Sequence, residues 1–223
     1  MAMCNRYRPP DQGTIEETWR ANLRQVFHQP WPGAVYPRSP GPFVRRAVDD
    51  PGYSIELVMG RWGLIPWFSK TSEVKYATNN ARSEELAEKA SYRQPWARSQ
   101  RCLIPAADFD EPCWETGKNV WWRLRRADGR PLGLAGLWST WEDKATGELH
   151  ESYTMLTINA DRHPLMSRMH KPDPKLPPDR QDKRSVIPIE PEDWDEWLTC
   201  TPARAVDLLQ VPADDLLFGE PVV

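Results

Sequence analysis

Seven short runs of strand-forming residues recur along this chain, and they constrain the fold more than any other feature. The runs are rich in branched and aromatic side chains and are separated by turn residues, a pattern typical of β-strands. They cover residues 43–48, 53–63, 101–106, 119–126, 131–141, 151–160 and 184–189. A further short strand is expected at 3–8, and Asp128-Gly129 has the composition of a hairpin turn between two strands. The chain is therefore expected to be mainly antiparallel sheet.

Helical patterns fall between these runs rather than after each of them. Behind a threonine cap at residue 14, four large apolar residues have near-helical spacing, which predicts a helix over 14–27: Ile15, Trp19, Leu23 and Phe27. Shorter helices are predicted at 83–90, near Pro164, at 190–198 and at 202–210. Because helices do not follow each strand, the pattern favours an α+β protein over a parallel α/β repeat.

The length of 223 residues fits one substantial core, so a single domain over 1–223 is expected. No run of about 18 apolar residues could span a bilayer, and the first residues lack the apolar run of a secretory signal. A soluble, cytoplasmic protein without a membrane partner is the expectation, and a monomer is expected. The cysteines contain no C-x-x-C pair, which favours reduced thiols and no metal site: Cys4, Cys102, Cys113 and Cys200.

The charge is unevenly distributed. The formal net charge is −3, but residues 190–223 carry nine acidic side chains and one basic one, which leaves 28 basic and 23 acidic side chains in the first 189 residues. This excess permits a local phosphate-binding groove, and ordinary solvated charge explains it equally well. Twelve tryptophans are many for this length; most are expected to pack in the core, and a few could stack on nucleic-acid bases.

Four segments resemble the SOS-response-associated peptidase family, which includes the hydroxymethylcytosine-binding, embryonic-stem-cell-specific proteins of animals. The segments are M-C-N-R-Y at 3–7, R-W-G-L-I-P-W at 61–67, N-A-R-S-E at 80–84 and R-C-L-I-P-A-A-D-F-D-E at 101–111. A-G-L-W at 135–138 is a weaker match. The resemblance implies a barrel-like sheet with peripheral helices and covalent capture of abasic sites in single-stranded DNA. It implies no cofactor and a DNA-bound population on the nucleoid.

The resemblance assigns the nucleophile to Cys4, because the family has a cysteine directly after its initiator methionine. An amino-terminal cysteine offers an α-amine, which attacks an aldehyde, and a thiol, which closes a thiazolidine ring on the same carbon. Here Met1 and Ala2 precede the Met3-Cys4 pair. The α-amine of Cys4 is therefore expected to become available in one of two ways. Either translation starts at Met3, or a cleavage, for which autoproteolysis is one route, exposes Cys4. Without the other motifs, Cys4 would be read as a small buried residue of an edge strand.

The family pattern supplies three more catalytic residues. It implies that Asn80 holds the modified cysteine and that Glu111 moves protons, a task that Asp108 or Asp110 could share. Read structurally, Asn80 could be a turn residue. The family histidine sits in an H-x-R-M-P motif, whereas this chain has methionine at the nearest match, Met166. His170 and His163 are the candidates to replace it, and His170 is preferred because a basic loop follows it.

Four residues are expected to contact DNA. The resemblance places Arg6 and Arg82 on backbone phosphates and Trp62 and Trp67 beside bases. Core packing is the alternative for the tryptophans, and an ion pair with Glu84 or Glu85 is the alternative for Arg82. Trp121-Trp122 is expected to place one ring on each face of a strand.

Two other functions remain open at this stage. A cysteine peptidase acting on other proteins would need a histidine within reach of Cys4. A non-catalytic reader of single-stranded or modified DNA is expected if Cys4 never becomes terminal.

Overall fold

The computed structural model describes residues 4–23, 31–50 and 54–222. Its strands are β1 (Tyr7–Arg8), β2 (Asn22–Leu23), β3 (Pro40–Arg46), β4 (Ile55–Trp62), β5 (Asn80–Arg82), β6 (Arg101–Ala106), β7 (Asp108–Cys113), β8 (Val120–Arg126), β9 (Leu132–Glu142), β10 (Leu149–Asn159), β11 (Arg184–Val186), β12 (Pro188–Ile189) and β13 (Leu217–Pro221). Its helices are α1 (Gln12–Trp19), α2 (Ala90–Ala97), α3 (Trp194–Thr199) and α4 (Pro202–Ala205). Single 3₁₀ turns occur at Ser83–Glu85, Met166–Arg168, Pro191–Asp193 and Val206–Leu208.

Within the described ranges, five strands close into a barrel. The order β10-β4-β3-β6-β9 is closed by the pairing of β9 with β10, so the ring leaves no open edge. All of these pairs are antiparallel except β10 with β4. The prediction of an α+β fold built on a mainly antiparallel, barrel-like sheet with peripheral helices is confirmed.

A smaller sheet of order β1-β7-β8-β13 packs against the barrel. Successive side chains alternate between its two faces. One face joins the barrel core through Tyr7, Phe109 and Leu124, which are paired across the strands. The other face, called the outer face below, carries Arg8, Asp108, Asp110, Pro112, Trp121 and Arg123. Trp121 is exposed and Trp122 packs against the core, as their alternation predicts.

The first helix is shorter than predicted. It begins behind Asp11, whose side chain accepts the backbone N–H of Thr14 at 3.0 Å, so the cap lies three residues before the predicted one. The helix ends at Trp19, and the next residue, Arg20, adopts a left-handed conformation with φ +50°. Asn22–Leu23 then form β2, and the rest of the predicted helix, including Phe27, lies outside the described residues.

Two other local predictions are wrong. Residues 83–89 form a 3₁₀ turn and further turns, and the helix begins only at Ala90. This helix contains Pro95, a residue that is disfavoured inside helices, so the sequence pattern does not indicate it. Asp128-Gly129 does turn the chain, with φ +78° at Gly129, but β8 and β9 enter different sheets, so the turn does not close a hairpin. The Asp128 carboxylate binds Arg126 and Arg130 at this corner instead.

The barrel interior leaves no room at Gly41, which supports a stability prediction. The hydroxyls of Tyr7 and Tyr153 share a buried hydrogen bond of 2.5 Å beside this glycine. A Cβ on Gly41 would lie 2.6 Å from Tyr7 Oη, 2.8 Å from Val35 Cγ1 and closer still to Tyr153 Oη. Gly41→Ala should therefore lower the free energy of unfolding by about 1–3 kcal/mol, measured by urea denaturation. Gly33→Ala is the control, since no atom lies within 4 Å of its added Cβ. An equal loss in both variants would contradict this account of the core.

No helix in the described ranges is both long and apolar enough to cross a membrane.

Candidate functional site

Cys4 lies at the start of the small sheet and is enclosed by residues from distant parts of the chain. Its side chain is 1% exposed. The amide nitrogen Nδ2 of Asn80 donates to the Cys4 carbonyl at 2.8 Å, and the Cys4 thiol faces the Arg6 carbonyl at 3.7 Å. The backbone N–H of Cys4 donates to the Glu111 carboxylate. The nitrogen that would become an α-amine is thus in contact with a carboxyl group.

The pairing of β1 with β7 brings Glu111 to this position. Tyr7 pairs with Phe109, so Glu111 projects from the same face of β7 toward Cys4. Glu111 is 2% exposed, and its Oε2 atom has no hydrogen-bond partner among the described residues. Burial, reinforced by the nearby charge of Asp110, raises the pKa of Glu111 well above its ordinary value. A carboxyl group in this environment can hold a proton at neutral pH.

His170 lies on the other side of Glu111. Its Nε2 atom is 3.5 Å from Glu111 Oε2, and both side chains are 2% exposed. The backbone at His170 is left-handed, with φ +59°, and its N–H donates to the Pro112 carbonyl at 2.7 Å. The buried ammonium of Lys183 donates to the carbonyls of Met169 and His170 at 2.6 Å each. These contacts fix the loop that presents the imidazole to Glu111.

His163 has a different environment. Its Nδ1 atom accepts the backbone N–H groups of Leu165 and Met166 at 3.1 Å each. Burial lowers the pKa of His163, which favours the neutral ring that these two bonds require. Of the two candidate histidines, His170 lies next to Glu111, whereas His163 stabilises the turn at Leu165 and Met166.

Asn80 is held in β5 rather than in a turn. The strand pairs in parallel with β10, and Tyr92 Oη donates to the Asn80 carbonyl at 3.2 Å. The Oδ1 atom of Asn80 is buried and has no hydrogen-bond partner among the described residues. The amide can therefore hold the cysteine with one end and accept a hydrogen bond from a bound group with the other.

The thiol of Cys4 is suited to a step that follows the amine. Burial, and then the charge of Glu111, raise the pKa of the Cys4 thiol well above its ordinary value, so the sulfur keeps its proton. A buried, protonated thiol is a poor first nucleophile. It can still add to a carbon that the neighbouring amine has already bound, because that reaction is intramolecular.

The model of the SOS response associated peptidase (SRAP) family matches residues 3–222. The chain belongs to this family. It is 34% identical over 131 residues to the abasic site processing protein YoqW of Bacillus subtilis, covering 57% of this chain and 56% of that protein. It is 27% identical over 180 residues to the abasic site processing protein HMCES of Xenopus tropicalis, covering 70% and 53% respectively. These matches span little more than half the length of either relative.

Two solved structures extend the similarity to the whole chain. A crystal structure of a Bordetella bronchiseptica protein covers 99% of this chain and all of its own, with 35% identity and a TM-score of 0.85. A second, from Bacteroides thetaiotaomicron, covers 99% and 92% with a TM-score of 0.77. Its identity of 18% makes it similar in fold alone.

In this SRAP-family chain, three of the four residues expected to contact DNA reach the surface. The side chain of Arg6 is 38% exposed and pairs with Asp110 at 3.1 Å. The side chain of Arg82 is 43% exposed and pairs with Asp182 at 2.5 Å, not with Glu84 or Glu85. Trp67 is 59% exposed and meets Phe68 edge to face. Their contact with DNA stays a prediction.

Trp62 is not at the surface, which corrects its predicted place beside bases. It is fully buried, packs edge to face on Tyr7 with 5.2 Å between ring centroids, and donates to the Asn79 carbonyl at 2.8 Å. Both faces of β4 are covered at this point, so the ring belongs to the core. Through Asn79 it supports the strand that carries Asn80.

Sequence reasoning missed several residues that shape the site. Lys183 and Asn79 lie in no recognised motif and become visible only through their contacts. Asp108 and Asp110, predicted to share the work of Glu111, both lie on the outer face and pair with arginines. No group of three or more His, Cys, Asp or Glu in the described ranges could hold a metal ion.

Proposed function

We propose that this chain captures abasic sites in single-stranded DNA by a covalent bond to Cys4. The observation that carries the proposal is the contact between the Cys4 nitrogen and Glu111, with a thiol on the same residue and Asn80 and His170 around it. The similarity to relatives named abasic site processing proteins supports it. An abasic site supplies the matching electrophile, because its deoxyribose opens to an aldehyde.

The reaction needs no redox step. The α-amine of Cys4 attacks the aldehyde carbon, and the resulting carbinolamine loses water to form a Schiff base. The thiol sulfur then adds to the same carbon, and its proton passes to the nitrogen, which closes a five-membered thiazolidine ring. No metal or organic cofactor takes part.

Each neighbouring group has a role in this sequence. Glu111 can deliver the proton that leaves with water, because burial raises its pKa and favours the protonated carboxyl group. The carboxylate left behind can accept the proton that the attacking amine releases. His170, 3.5 Å away, can restore the proton on Glu111. Asn80 holds the Cys4 carbonyl, so the amine and the thiol keep their orientation.

The same geometry suits removal of residues 1–3. Hydrolysis of the Met3–Cys4 bond adds hydroxide to the Met3 carbonyl and a proton to the Cys4 nitrogen. Glu111 is in contact with that nitrogen and can protonate it as it leaves. Autoproteolysis would then produce the α-amine that the capture needs.

The test compares two chains that begin at Met1 and at Cys4. Each is incubated with a single-stranded oligonucleotide that contains one abasic site, and covalent adducts are separated on a denaturing gel. We expect an adduct from the chain that begins at Cys4, and from the longer chain only in the fraction in which Edman degradation finds Cys4 at the terminus. An undamaged oligonucleotide is the control. Salt-sensitive binding by the Cys4 chain without any adduct would overturn the proposal and indicate a non-covalent reader of DNA.

A further inference from the structure

The outer face of the small sheet contains a hollow that the proposed reaction does not use. Its volume is about 500 Å³, within the range of small-ligand sites. Its lining consists of Asn5, Arg6, Tyr36, Asp110, Trp121 and Val222. The carboxyl group of Glu111 projects from the opposite face of β7, so the hollow is distinct from the enclosure around Cys4.

Two aromatic side chains border the hollow and are open to solvent. Tyr36 is 49% exposed and Trp121 is 48% exposed, which is unusual for rings of this size. Trp121 projects from β8 opposite Pro112 on the outer face. Exposed rings on a sheet surface are the usual platform for unstacked nucleic-acid bases, because every base presents a flat π-face.

Arginines beside these rings have donors to spare. Asp110 is bound by Arg8 at 2.9 Å and by Arg6 at 3.1 Å, so its charge is balanced. Arg123 lies 3.8 Å from Asp110, longer than a hydrogen bond. Each guanidinium carries five N–H donors, and the side chains of Arg6 and Arg123 are 38% and 37% exposed. Guanidinium groups that are partly open to solvent favour a phosphate.

The hollow is also close enough to the lesion to hold a neighbouring nucleotide. Asn5 and Arg6 follow Cys4 directly, and two residues of chain span at most about 7 Å. A strand whose abasic sugar is bound at Cys4 can therefore place a neighbouring nucleotide at the edge of the hollow. The aromatic rings match the base of a nucleotide, and the arginine N–H donors match its phosphate.

We infer that this hollow binds one unstacked nucleobase of the DNA strand, next to the abasic site. Tyr36 and Trp121 stack on the base, while Arg6 and Arg123 contact the adjoining phosphate. The inference rests on the proposed function, because it takes the strand to be the one captured at Cys4. It adds a subsite that holds the strand before any covalent bond forms.

The test measures non-covalent binding by a chain in which residues 1–3 are retained and Cys4→Ala blocks the reaction. The DNA is a fluorescent single strand with a tetrahydrofuran abasic analogue, which has no aldehyde, and affinity is measured by fluorescence polarisation. Trp121→Ala should weaken binding about five- to hundredfold, and Trp121→Phe should restore most of the affinity. Phe218→Ala is the matched control, since Phe218 is 45% exposed on β13 of the same sheet but does not line the hollow.

A second set of oligonucleotides identifies the bound base. The base on the 5′ or the 3′ side of the analogue is removed in turn, and the measurement is repeated with and without Trp121→Ala. On one side, removal of the base should abolish the difference between the two chains. A Trp121→Ala chain that binds as tightly as its parent, or that loses the same affinity whichever base is absent, would overturn the inference. A base-dependent loss in DNA binding, together with no adduct from the chain that begins at Cys4, would reject the covalent function and keep this subsite.

Discussion

A chain that begins at residue 4 and carries Cys4→Ser is expected to bind abasic DNA only reversibly. Serine keeps the α-amine beside Glu111, so the Schiff base can still form. Its hydroxyl is a much weaker nucleophile than the Cys4 thiol toward the imine carbon, and the stable ring is lost. We expect no adduct that survives denaturation, against near-complete conversion by the unsubstituted chain.

The measurement is a denaturing gel run with and without borohydride. Borohydride reduces the Schiff base to a stable amine, so an adduct from Cys4→Ser should appear in the reduced samples alone. Cys102→Ser is the control, because Cys102 is equally buried but lies in β6 of the barrel. A durable adduct from Cys4→Ser without borohydride would show that the thiol is not part of the linkage.

The sequence predicts the barrel well because its strands have clear local signals. The runs at 101–106, 131–141 and 151–160 match β6, β9 and β10 to within two residues. All of β6 and the central parts of β9 and β10 are buried on both faces, and runs of branched and aromatic residues are typical of such strands. The closure of the ring depends on pairs such as Leu103 with Ala135, which no local pattern specifies.

The small sheet was harder to predict, although it positions the site. Residues 108–113 contain three acidic side chains and a proline, so they have weak strand propensity. In β7 the acidic side chains on the outer face are neutralised by Arg8, which pairs with Asp108 and Asp110, and by Arg6, which pairs with Asp110. The charge pattern that obscured the strand is therefore part of what stabilises it.

The position of the histidine could not be predicted from a sequence motif. This chain has methionine where the family motif has its histidine, and His170 is 59 residues from Glu111 along the chain. Their approach depends on a left-handed residue and on Lys183, which binds the loop from a distant segment. Asn80 and Glu111 lie within motifs that the sequence shows, although Asp110 and Pro112 beside Glu111 depart from the family pattern, so both could be placed from the sequence. The position of the imidazole needed the tertiary structure.

Replacing Glu111 with glutamine is expected to slow adduct formation by about 10²–10⁴-fold, the usual contribution of a positioned acid or base. Glutamine has nearly the same shape and can still accept the Cys4 N–H, but it cannot move a proton. The rate is measured in a chain that begins at Cys4, by quenching samples with denaturant over time. Glu142→Gln is the control, because Glu142 is exposed at the end of β9 and pairs with Lys144.

The same substitution should stabilise the fold at neutral pH, which separates a lost proton carrier from a misfolded chain. The folded protein raises the pKa of Glu111, so between its ordinary pKa and the raised one the folded state binds more protons than the unfolded state. Stability therefore falls as pH rises through this window, and glutamine removes that loss. Thermal unfolding should give Glu111→Gln a higher Tm than the parent at pH 7, with the difference shrinking toward pH 4. A lower Tm at pH 7, or a gain that persists unchanged at pH 4, would mean that burial does not hold this carboxyl group in its protonated form.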